Sequence, residues 1–327
     1  MHRLVTITVI VVLAFGSTRS TAQTGPITPI PVHDVSNPGK QELGELLFND
    51  KRLSHDNSVS CASCHDLKFA GNDGRPLGRG TGGAKGARNV PTVFNAVFNF
   101  RQFWDGRALS LEEQMVFPLT DPKEMASSMG EVLEKLTADP ELSGKFSSIY
   151  ADGISENSIK DAVATFERSL TTPNSRFDRF LRGEQAALSD RERQGYELFQ
   201  RYGCIACHQG VNIGGNMFQL FGVMADLATR PQADLATDPG RYAITQQDSD
   251  RHVFKVPSLR NVAVTAPYFH NGSVQTLEEA VDVMFEYQLG RTAPNEEKAL
   301  IVAFLKTLTG EFRGKRLAVT PDEQAQR

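Results

Sequence analysis

The sequence has little of what would place it in several common classes of protein. Cysteine is scarce, with four residues in 327, which is too few for a fold held together by disulfide bonds. There is no long basic run and the formal net charge is −4, which argues against nucleic-acid binding as the main function. The 27 glycines and 16 prolines indicate many turns but show no collagen-like period. Hydrophobic residues make up 40% of the chain, so we expect a folded core rather than disorder.

The first 22 residues have the pattern of an export signal. Residues 4–15 are apolar except for two threonines, and Ser20 and Ala22 supply the small residues that precede a cleavage site. This stretch is short for a membrane span, which needs about 20 residues, although an uncleaved anchor is the alternative. No later segment is long and apolar enough to span a membrane. We therefore expect an exported, periplasmic protein that is soluble after residues 1–22 are removed.

All four cysteines lie in two copies of one motif, Cys-x-x-Cys-His, which is the attachment pattern of a c-type haem. The two thiols bond the vinyl groups of one porphyrin, and the adjacent histidine reaches its iron. The copies are Cys61, Cys64 and His65, and Cys204, Cys207 and His208. A redox disulfide needs neither the histidine nor a second copy, a zinc site would have its cysteine pairs closer together, and structural disulfides explain neither feature. We therefore predict two covalently bound c-type haems.

The surroundings of the two motifs resemble each other. Upstream, Gly44 and Gly195 each begin a short segment that ends in Leu-Phe or Leu-Leu-Phe. Downstream, segments 90–113 and 256–279 align without a gap at an offset of 256 − 90 = 166 residues. At this offset Asn95 matches Asn261, Trp104 matches His270, and Gly106 matches Gly272. The sequence thus predicts two cytochrome-c-like haem domains related by an internal repeat, over residues 23–175 and 176–327.

Apolar residues recur near a 3.6-residue period in most of the chain, which predicts a mostly α fold. The predicted helices are 40–49, 130–137, 158–170, 189–202, 277–286 and 296–308. Capping boxes are predicted at Ser110, Ser189 and Thr276, each followed three residues later by a glutamate. Segments 70–108 and 209–272 are long loops rich in glycine and proline, which we expect to cover the haem faces opposite the two histidines.

The second axial ligand of each iron decides its chemistry, because methionine or histidine suits electron transfer and an open position suits catalysis. In the second half Met284 lies on an apolar helix face, where a core role would be the ordinary interpretation. The need for a thioether ligand favours Met284 for the iron, with Met224 as a rival. The repeat offset puts Pro118 where the second half has Met284, so we expect the first haem to be open.

Taken together, these residues resemble the bacterial di-haem cytochrome c peroxidases and their relatives in methylamine dehydrogenase maturation. The resemblance covers nearly the whole chain after the signal. It is carried by segments 53–54, 88–92, 103–108, 259–262 and 265–270 and by the helix that ends at Met284. It implies a peroxidatic N-terminal haem, a high-potential C-terminal haem, a calcium ion between the domains and a homodimer. The implied reaction reduces H₂O₂ to water with electrons from a small exported cytochrome c or blue copper protein.

The resemblance also implies roles for single residues. His65 would hold the peroxidatic haem, and His208 with Met284 would hold the electron-transfer haem. Trp104, the only tryptophan, would carry electrons between the haems, unless it is simply a core side chain. Glu113 would move protons during peroxide cleavage, although it is also the third residue of a predicted capped helix. The implied calcium ligands are Asn89, Thr265 and Pro267, through side-chain and backbone oxygens.

Loop 78–86 departs from the family pattern. Many members have a histidine in this loop that ligates the peroxidatic iron until the other haem is reduced, and this loop contains none. We therefore expect the oxidised protein to react with peroxide without prior reduction. Met284, in place of the tyrosine of the maturation relatives, favours the peroxidases. Two alternatives stay open, a di-haem oxidase that acts on a protein partner and a non-catalytic di-haem electron carrier.

The paired motifs predict that each haem depends on its own two cysteines. Intact mass after export with haem-maturation machinery should show two covalent haems, and the double variant Cys204→Ala/Cys207→Ala should retain one. Loss of both haems from the wild-type protein on acid–acetone extraction would contradict covalent attachment.

Overall fold

The computed structural model describes residues 25–32, 37–226 and 237–318, so the predicted export signal at 1–22 lies outside the described residues. The described part is mostly helical, as the periodicity predicts. Its α-helices are α1 (Pro38–Asn49), α2 (Cys61–Cys64), α3 (Leu111–Gln114), α4 (Val116–Thr120), α5 (Met129–Thr137), α6 (Pro140–Ile149), α7 (Glu156–Ser169), α8 (Arg176–Leu181), α9 (Asp190–Arg201), α10 (Tyr242–Thr245), α11 (Leu277–Val283) and α12 (Asn295–Leu305).

Extended structure is confined to two small antiparallel pairs in the described residues. Strands β1 (Phe218–Leu220) and β2 (Val253–Lys255) form one pair, in which Phe218 faces Lys255. Strands β3 (Glu311–Phe312) and β4 (Lys315–Arg316) form the other. Single 3₁₀ turns occupy Lys51–Leu53, Leu67–Phe69, Thr81–Gly83, Ala96–Phe98, Gln185–Ala187, Cys204–Ala206, Asp248–Asp250, Val262–Val264 and Lys306–Leu308. None of the helices in the described ranges is both long and apolar enough to cross a membrane.

All six predicted helices are present, with shifts of a few residues at their ends. The main difference concerns the segment predicted as one helix at 277–286. There α11 ends at Val283 and the chain continues as a π-helical turn, Met284–Gln288. Helix α6 was not predicted because its apolar face is short, with Leu142 and Phe146 as its buried residues. It is started instead by Asp139, whose carboxylate accepts hydrogen bonds from the first-turn amides.

The predicted capping boxes differ in how completely they form. Ser189 and Glu192 make the full reciprocal pair at the start of α9. At α3, Ser110 accepts from the amide of Glu113, but the Glu113 carboxylate accepts at 2.7 Å from the amide of Leu109. Thr276 accepts from the Glu279 amide at 3.2 Å. Each cap satisfies a backbone N–H that the first helical turn leaves without a partner.

Each half is built on a close helix crossing that requires glycine. In α1, a Cβ on Gly44 would lie 2.0 Å from the carbonyl oxygen of Ala162 in α7. In α9, a Cβ on Gly195 would lie 2.0 Å from the carbonyl oxygen of Leu300 in α12. The two glycines matched by the repeat therefore have the same structural role, because only a residue without Cβ lets the helix backbones approach this closely.

Two main clusters of buried apolar side chains follow from these crossings. The first, around α1, α5, α6 and α7, contains Leu43, Leu47, Leu53, Met115, Leu119, Met125, Val132, Leu136, Leu142, Phe146, Ile159, Ala162 and Val163. The second, around α8, α9, α11 and α12, contains Phe177, Leu198, Phe199, Leu277, Val281, Phe285, Ile301, Phe304 and Leu308 among others. Ile27 belongs to the second cluster, whereas Leu317 packs with Phe48 and Phe94 of the first half. Both ends of the described chain thus pack on the opposite half.

A buried ion pair holds the N-terminal end in this position. Arg260 and Asp178 are almost fully buried, and their charged groups are 2.7 Å apart. Arg260 also donates to the carbonyl of Thr28 at 3.0 Å, and Asp178 accepts from the amide of Ile30 at 3.1 Å. These partners compensate the desolvation of both charges, which is the condition for burying an ion pair without a large penalty.

The two halves also meet at a single threonine hydroxyl. Asn95 and Asn261 both have left-handed backbone conformations and are fully buried. The Asn95 side chain donates to the Thr172 hydroxyl at 2.7 Å, and the Asn261 side chain donates to the same oxygen at 3.0 Å. The residues aligned at the 166-residue offset therefore lie on either side of one shared acceptor.

The glycine crossings predict a large loss of stability on minimal substitution. Gly44→Ala and Gly195→Ala should each lower the free energy of unfolding by about 1–3 kcal/mol, because the added methyl overlaps a backbone carbonyl. Gly144→Ala is the matched control, since it lies in α6 with no atom within 4 Å of its Cβ position. It should stabilise the helix by about 0.5–1 kcal/mol. Denaturant unfolding measures all three, and equal effects at Gly44 and Gly144 would contradict the close crossing.

Candidate active site

The first Cys-x-x-Cys-His motif forms a single helical turn with the histidine at its end. Ser60 and Ser63 cap α2 reciprocally, and His65 follows its last residue. Nδ1 of His65 lies 3.1 Å from the carbonyl oxygen of Gly71. Burial lowers the pKa of His65, so its imidazole is neutral at pH 7. A proton held on Nδ1 by that carbonyl leaves Nε2 free to bind a metal.

The second motif repeats this arrangement on a 3₁₀ turn. Nδ1 of His208 lies 3.3 Å from the carbonyl oxygen of Ile213, and burial lowers the pKa of His208 to about 4. Both histidines are therefore neutral and oriented through Nδ1 by a backbone carbonyl five or six residues downstream. This is the usual way in which a protein prepares an imidazole for iron.

Each motif lies in the wall of its own pocket. Cys61, Cys64 and His65 line a cavity of about 850 Å³ in the first half. The second motif lines a mostly apolar cavity of about 270 Å³. Because the cysteine pairs face different cavities, a single four-cysteine metal site is excluded. Two thiols and one imidazole at the wall of an apolar cavity fit the attachment of one c-type haem to each half.

The structure brings Met284 into the second pocket and leaves its rival outside. Met284 begins the π-helical turn after α11 and lines the same cavity as His208. Met224 is 59% exposed and is not among the lining residues. The sulfur of Met284 is thus the thioether available to an iron held by His208.

The first pocket has no equivalent of this methionine at the aligned position. Pro118, in α4, lines it where the second pocket has Met284. Loop 78–86 contributes Gly78, Arg79, Gly80 and Gly86 to the wall, and among the described lining residues His65 is the one histidine. Two thioethers that the sequence analysis did not consider, Met115 and Met125, also line this cavity from the first core cluster.

The structure does not support Glu113 as the residue that faces the first pocket. Glu113 is not among the lining residues, and its carboxylate is engaged by the amide of Leu109. Polar residues that the sequence analysis missed line the pocket instead, among them Gln114 and Glu124. Helix periodicity does not identify Glu124, because it lies in the turn after α4 and reaches the cavity through the path of the backbone.

Glu124 is positioned by the glycine-rich loop. Its carbonyl oxygen accepts from the amide of Thr81 at 2.8 Å, and a Cβ on Gly80 would lie 2.4 Å from the same oxygen. Burial raises the pKa of the Glu124 carboxyl, the nearby Asp121 raises it further, and Arg107 opposes both. A half-buried carboxyl with a raised pKa at a cavity wall is a candidate for proton transfer.

Trp104 lies in the wall that the two pockets share. Its indole N–H donates to the carbonyl of Asn89 at 3.0 Å, and its own carbonyl accepts from the amide of Lys255 at 2.7 Å. All three residues line both cavities. The structure therefore brings Trp104 between the two predicted haem sites.

The predicted calcium ligands lie at the same junction. Asn89, Thr265 and Pro267 all line the second pocket, and the Asn72 amide donates to the carbonyl of Thr265 at 3.3 Å. Two buried acceptors beside them, Asn72 Oδ1 and a carboxylate oxygen of Asp73, have no hydrogen-bond partner. The described residues contain no cluster of three or more His, Cys, Asp or Glu suited to a metal, so a cation here would rely on amide and carbonyl oxygens.

Comparison with known proteins identifies relatives over most of the chain. Residues 38–186 match the family model of di-haem cytochrome c peroxidases, and residues 253–283 match a RoxA-like, cytochrome c-like model. The chain is 42% identical to cytochrome c551 peroxidase of Nitrosomonas europaea, over 94% of this chain and 91% of that protein. It is 46% identical to cytochrome c peroxidase Ccp of Escherichia coli over 88% of this chain, which spans 62% of that longer protein.

A solved structure supports the same relationship. A crystal structure of a MauG-like protein associated with microbial copper homeostasis superposes with a TM-score of 0.76 at 32% identity. The match covers 90% of this chain and 95% of that one. The likeness therefore includes both halves and the junction between them.

The position of Met284 predicts a spectroscopic signature for the second haem. Met284→Leu should lower the midpoint potential of that haem, because a thioether ligand favours the ferrous state. Any near-infrared band from the thioether–iron bond should disappear as well. Met224→Leu is the matched control and should change neither property. A band that survives in Met284→Leu but is lost in Met224→Leu would assign the ligand to the rival.

Proposed function

The chain belongs to the di-haem cytochrome c peroxidase family, and from this premise we propose that it reduces H₂O₂ to water with electrons from a small redox protein. The balanced reaction consumes one H₂O₂, two protons and two electrons and forms two molecules of water. When bound, the two haems supply the electron storage and transfer that no side chain can provide. One observation carries the proposal: the two pockets share the Trp104 wall, yet Met284 faces one cavity and Pro118 the other.

This asymmetry assigns different tasks to the two halves. His208 and Met284 present an imidazole and a thioether to the same cavity, which suits a site that only passes electrons. His65 faces a cavity in which the aligned position is a proline, so space for a small oxidant remains opposite the imidazole. Trp104 lies between them, where an aromatic side chain can shorten the electron path.

Proton transfer in the first pocket is assigned to Glu124. Its carboxyl lines the cavity, and burial raises its pKa toward the range in which it can donate and recover a proton at neutral pH. We infer that it moves a proton between the two peroxide oxygens, so that water leaves instead of hydroxide. Gln114 lines the same cavity and can hold the peroxide by its amide.

The electron donor and the cellular location are part of this proposal. Residues 1–22 would direct export to the periplasm, where a small cytochrome c or blue copper protein would deliver electrons singly to the second half. The mature chain would form two haem domains related by an internal repeat, 23–175 and 176–327. Each end of the chain would pack on the opposite domain, and two chains would form a homodimer.

Calcium would join the domains at the junction. Asn89 comes from the first half and Thr265 and Pro267 come from the second, so an ion bound by their oxygens would bridge both. Asn72 Oδ1 and Asp73 Oδ2, which are buried acceptor atoms without a hydrogen-bond partner, fit a nearby positive charge.

Oxidation of a protein partner is the second candidate. It is favoured by the likeness to the MauG-like crystal structure, which extends over nearly all of both chains. Two-electron oxidation of a partner residue would use the same first pocket. Covalent change in a partner, rather than turnover of peroxide with a reduced small cytochrome, would distinguish this activity.

The proposed acid–base role predicts different effects on the reaction with H₂O₂ when Glu124 and Glu113 are substituted. Stopped-flow mixing of the fully oxidised wild-type protein with H₂O₂ should change the Soret band promptly, without prior reduction. Glu124→Gln should slow this step by about 10²–10⁴-fold, the usual contribution of a general acid–base group. Glu113→Gln, which keeps an oxygen to accept from the Leu109 amide, should react far more like the wild type.

The opposite pattern, with the loss at Glu113, would return the role to that residue. A low-spin resting protein that reacts only after one-electron reduction would contradict the open first site. It would point to Met115 or Met125 as the ligand, since both line the cavity.

A further inference from the structure

Lys255 is a buried cation in the wall between the two pockets. It is the last residue of β2 and is only 8% exposed. Its amide donates to the carbonyl of Trp104, which fixes the backbone, and the residue is part of the lining of both cavities. At the 166-residue offset the first half has Asn89 at this position (255 − 166 = 89), so the positive charge is specific to the second half.

The carboxylates around Lys255 are already used by arginines. Asp105 is bridged by Arg88 and by Arg107, the latter at 2.9 Å, and Asp238 pairs with Arg88 at 2.6 Å. Two arginines and two aspartates make this cluster neutral. Within the described ranges the Lys255 ammonium forms no ion pair or hydrogen bond, and the carboxylate of Asp105, whose charge favours the protonated lysine, is already bridged by two arginines.

An ammonium in a largely buried residue loses hydration, and this loss is costly unless an anion lies beside the charge. Burial lowers the pKa of Lys255 to about 8, while Asp105 pulls it upward, so the side chain is still largely protonated at pH 7. The fold therefore keeps a positive charge where two cavities meet, and an anion held in either cavity would remove most of the cost.

The haem that each cavity is proposed to bind carries suitable anions itself. Once the cysteines have bonded to the vinyl groups of a c-type haem, its two propionates are its ionisable substituents, and both form carboxylates. We propose that Lys255 is the counter-ion of haem propionate at the shared wall, and that its charge raises the midpoint potential of the haem it contacts. This inference rests on the proposed di-haem function and adds a haem-binding residue to it.

The substitution Lys255→Met separates a counter-ion from a merely buried lysine. Methionine has similar length and no charge. If propionate is the partner, Lys255→Met leaves that carboxylate uncompensated. The midpoint potential of at least one haem should then become more negative in a spectroelectrochemical titration, and the thermal stability of the holoprotein should fall. Lys255→Arg should restore the potential toward the wild-type value, because it keeps the charge.

Without a propionate partner the result reverses. Removing an uncompensated buried charge should then raise the thermal stability of Lys255→Met and leave both potentials unchanged, which would overturn the proposal. Lys315→Met, at an exposed position of β4, controls for the loss of one positive charge and should leave both potentials unchanged. If Lys255→Met fails to mature, Lys255→Gln replaces it as a second neutral variant, since a more negative potential with glutamine supports the counter-ion and unchanged potentials contradict it.

Failure of the broader function would be seen separately. A wild-type protein with fewer than two covalent haems, or without peroxide turnover, would contradict the proposed function before any variant is compared. Two haems and normal turnover in the wild type, with unchanged potentials in Lys255→Met, would contradict only the counter-ion.

Discussion

A reciprocal pair of backbone hydrogen bonds across the junction supports the rest of the site. The amide of Asn89 donates to the carbonyl of His270 at 2.7 Å, and the amide of Lys255 donates to the carbonyl of Trp104 at 2.7 Å. The partners are related by the same offset, since 255 − 89 and 270 − 104 both equal 166. Buried backbone groups must find partners, and here each half supplies the partner that the other half needs. The wall between the cavities therefore forms only when the halves are docked, and with it the placement of Trp104.

On this nearly symmetric frame, a small number of side chains makes the two halves chemically different. Met284 and Pro118 face equivalent cavities, and only the sulfur can bind iron. Lys255 and Asn89 hold equivalent backbone positions, and only the lysine brings charge to the wall. The difference in proposed function thus depends on single substitutions at matched positions, while the glycine crossings and the shared Thr172 hydroxyl keep the backbone alike on both sides.

The glycine-rich loop helps to position the carboxyl proposed for proton transfer, which its composition alone does not predict. The five glycines in loop 78–86 predict a flexible segment. In the structure its backbone packs on the carbonyls of Lys123 and Glu124, and the amide of Thr81 donates to Glu124. At Gly80 the absence of a side chain therefore serves close approach, and the loop positions the carboxyl that we assign to proton transfer.

The sequence by itself determined the features that depend on neighbours along the chain. The haem-attachment motifs, the six long helices and the alignment of Asn95 with Asn261 all follow from local spacing and periodicity. Met284 could be favoured over Met224 because the apolar face of a predicted capped helix carries it and a thioether ligand is expected in that half. The proposed acid–base residue and the proposed counter-ion could not be found in this way. Glu124 is brought to the cavity by a turn without periodicity, and Glu113, three residues into a helix, is taken up by a backbone amide. Lys255 could be singled out only from the structure, which shows that arginines of the wall pair with the neighbouring carboxylates. The position of Glu124 depends on packing within the first half and that of Lys255 on contacts between the halves, and tertiary structure determines both.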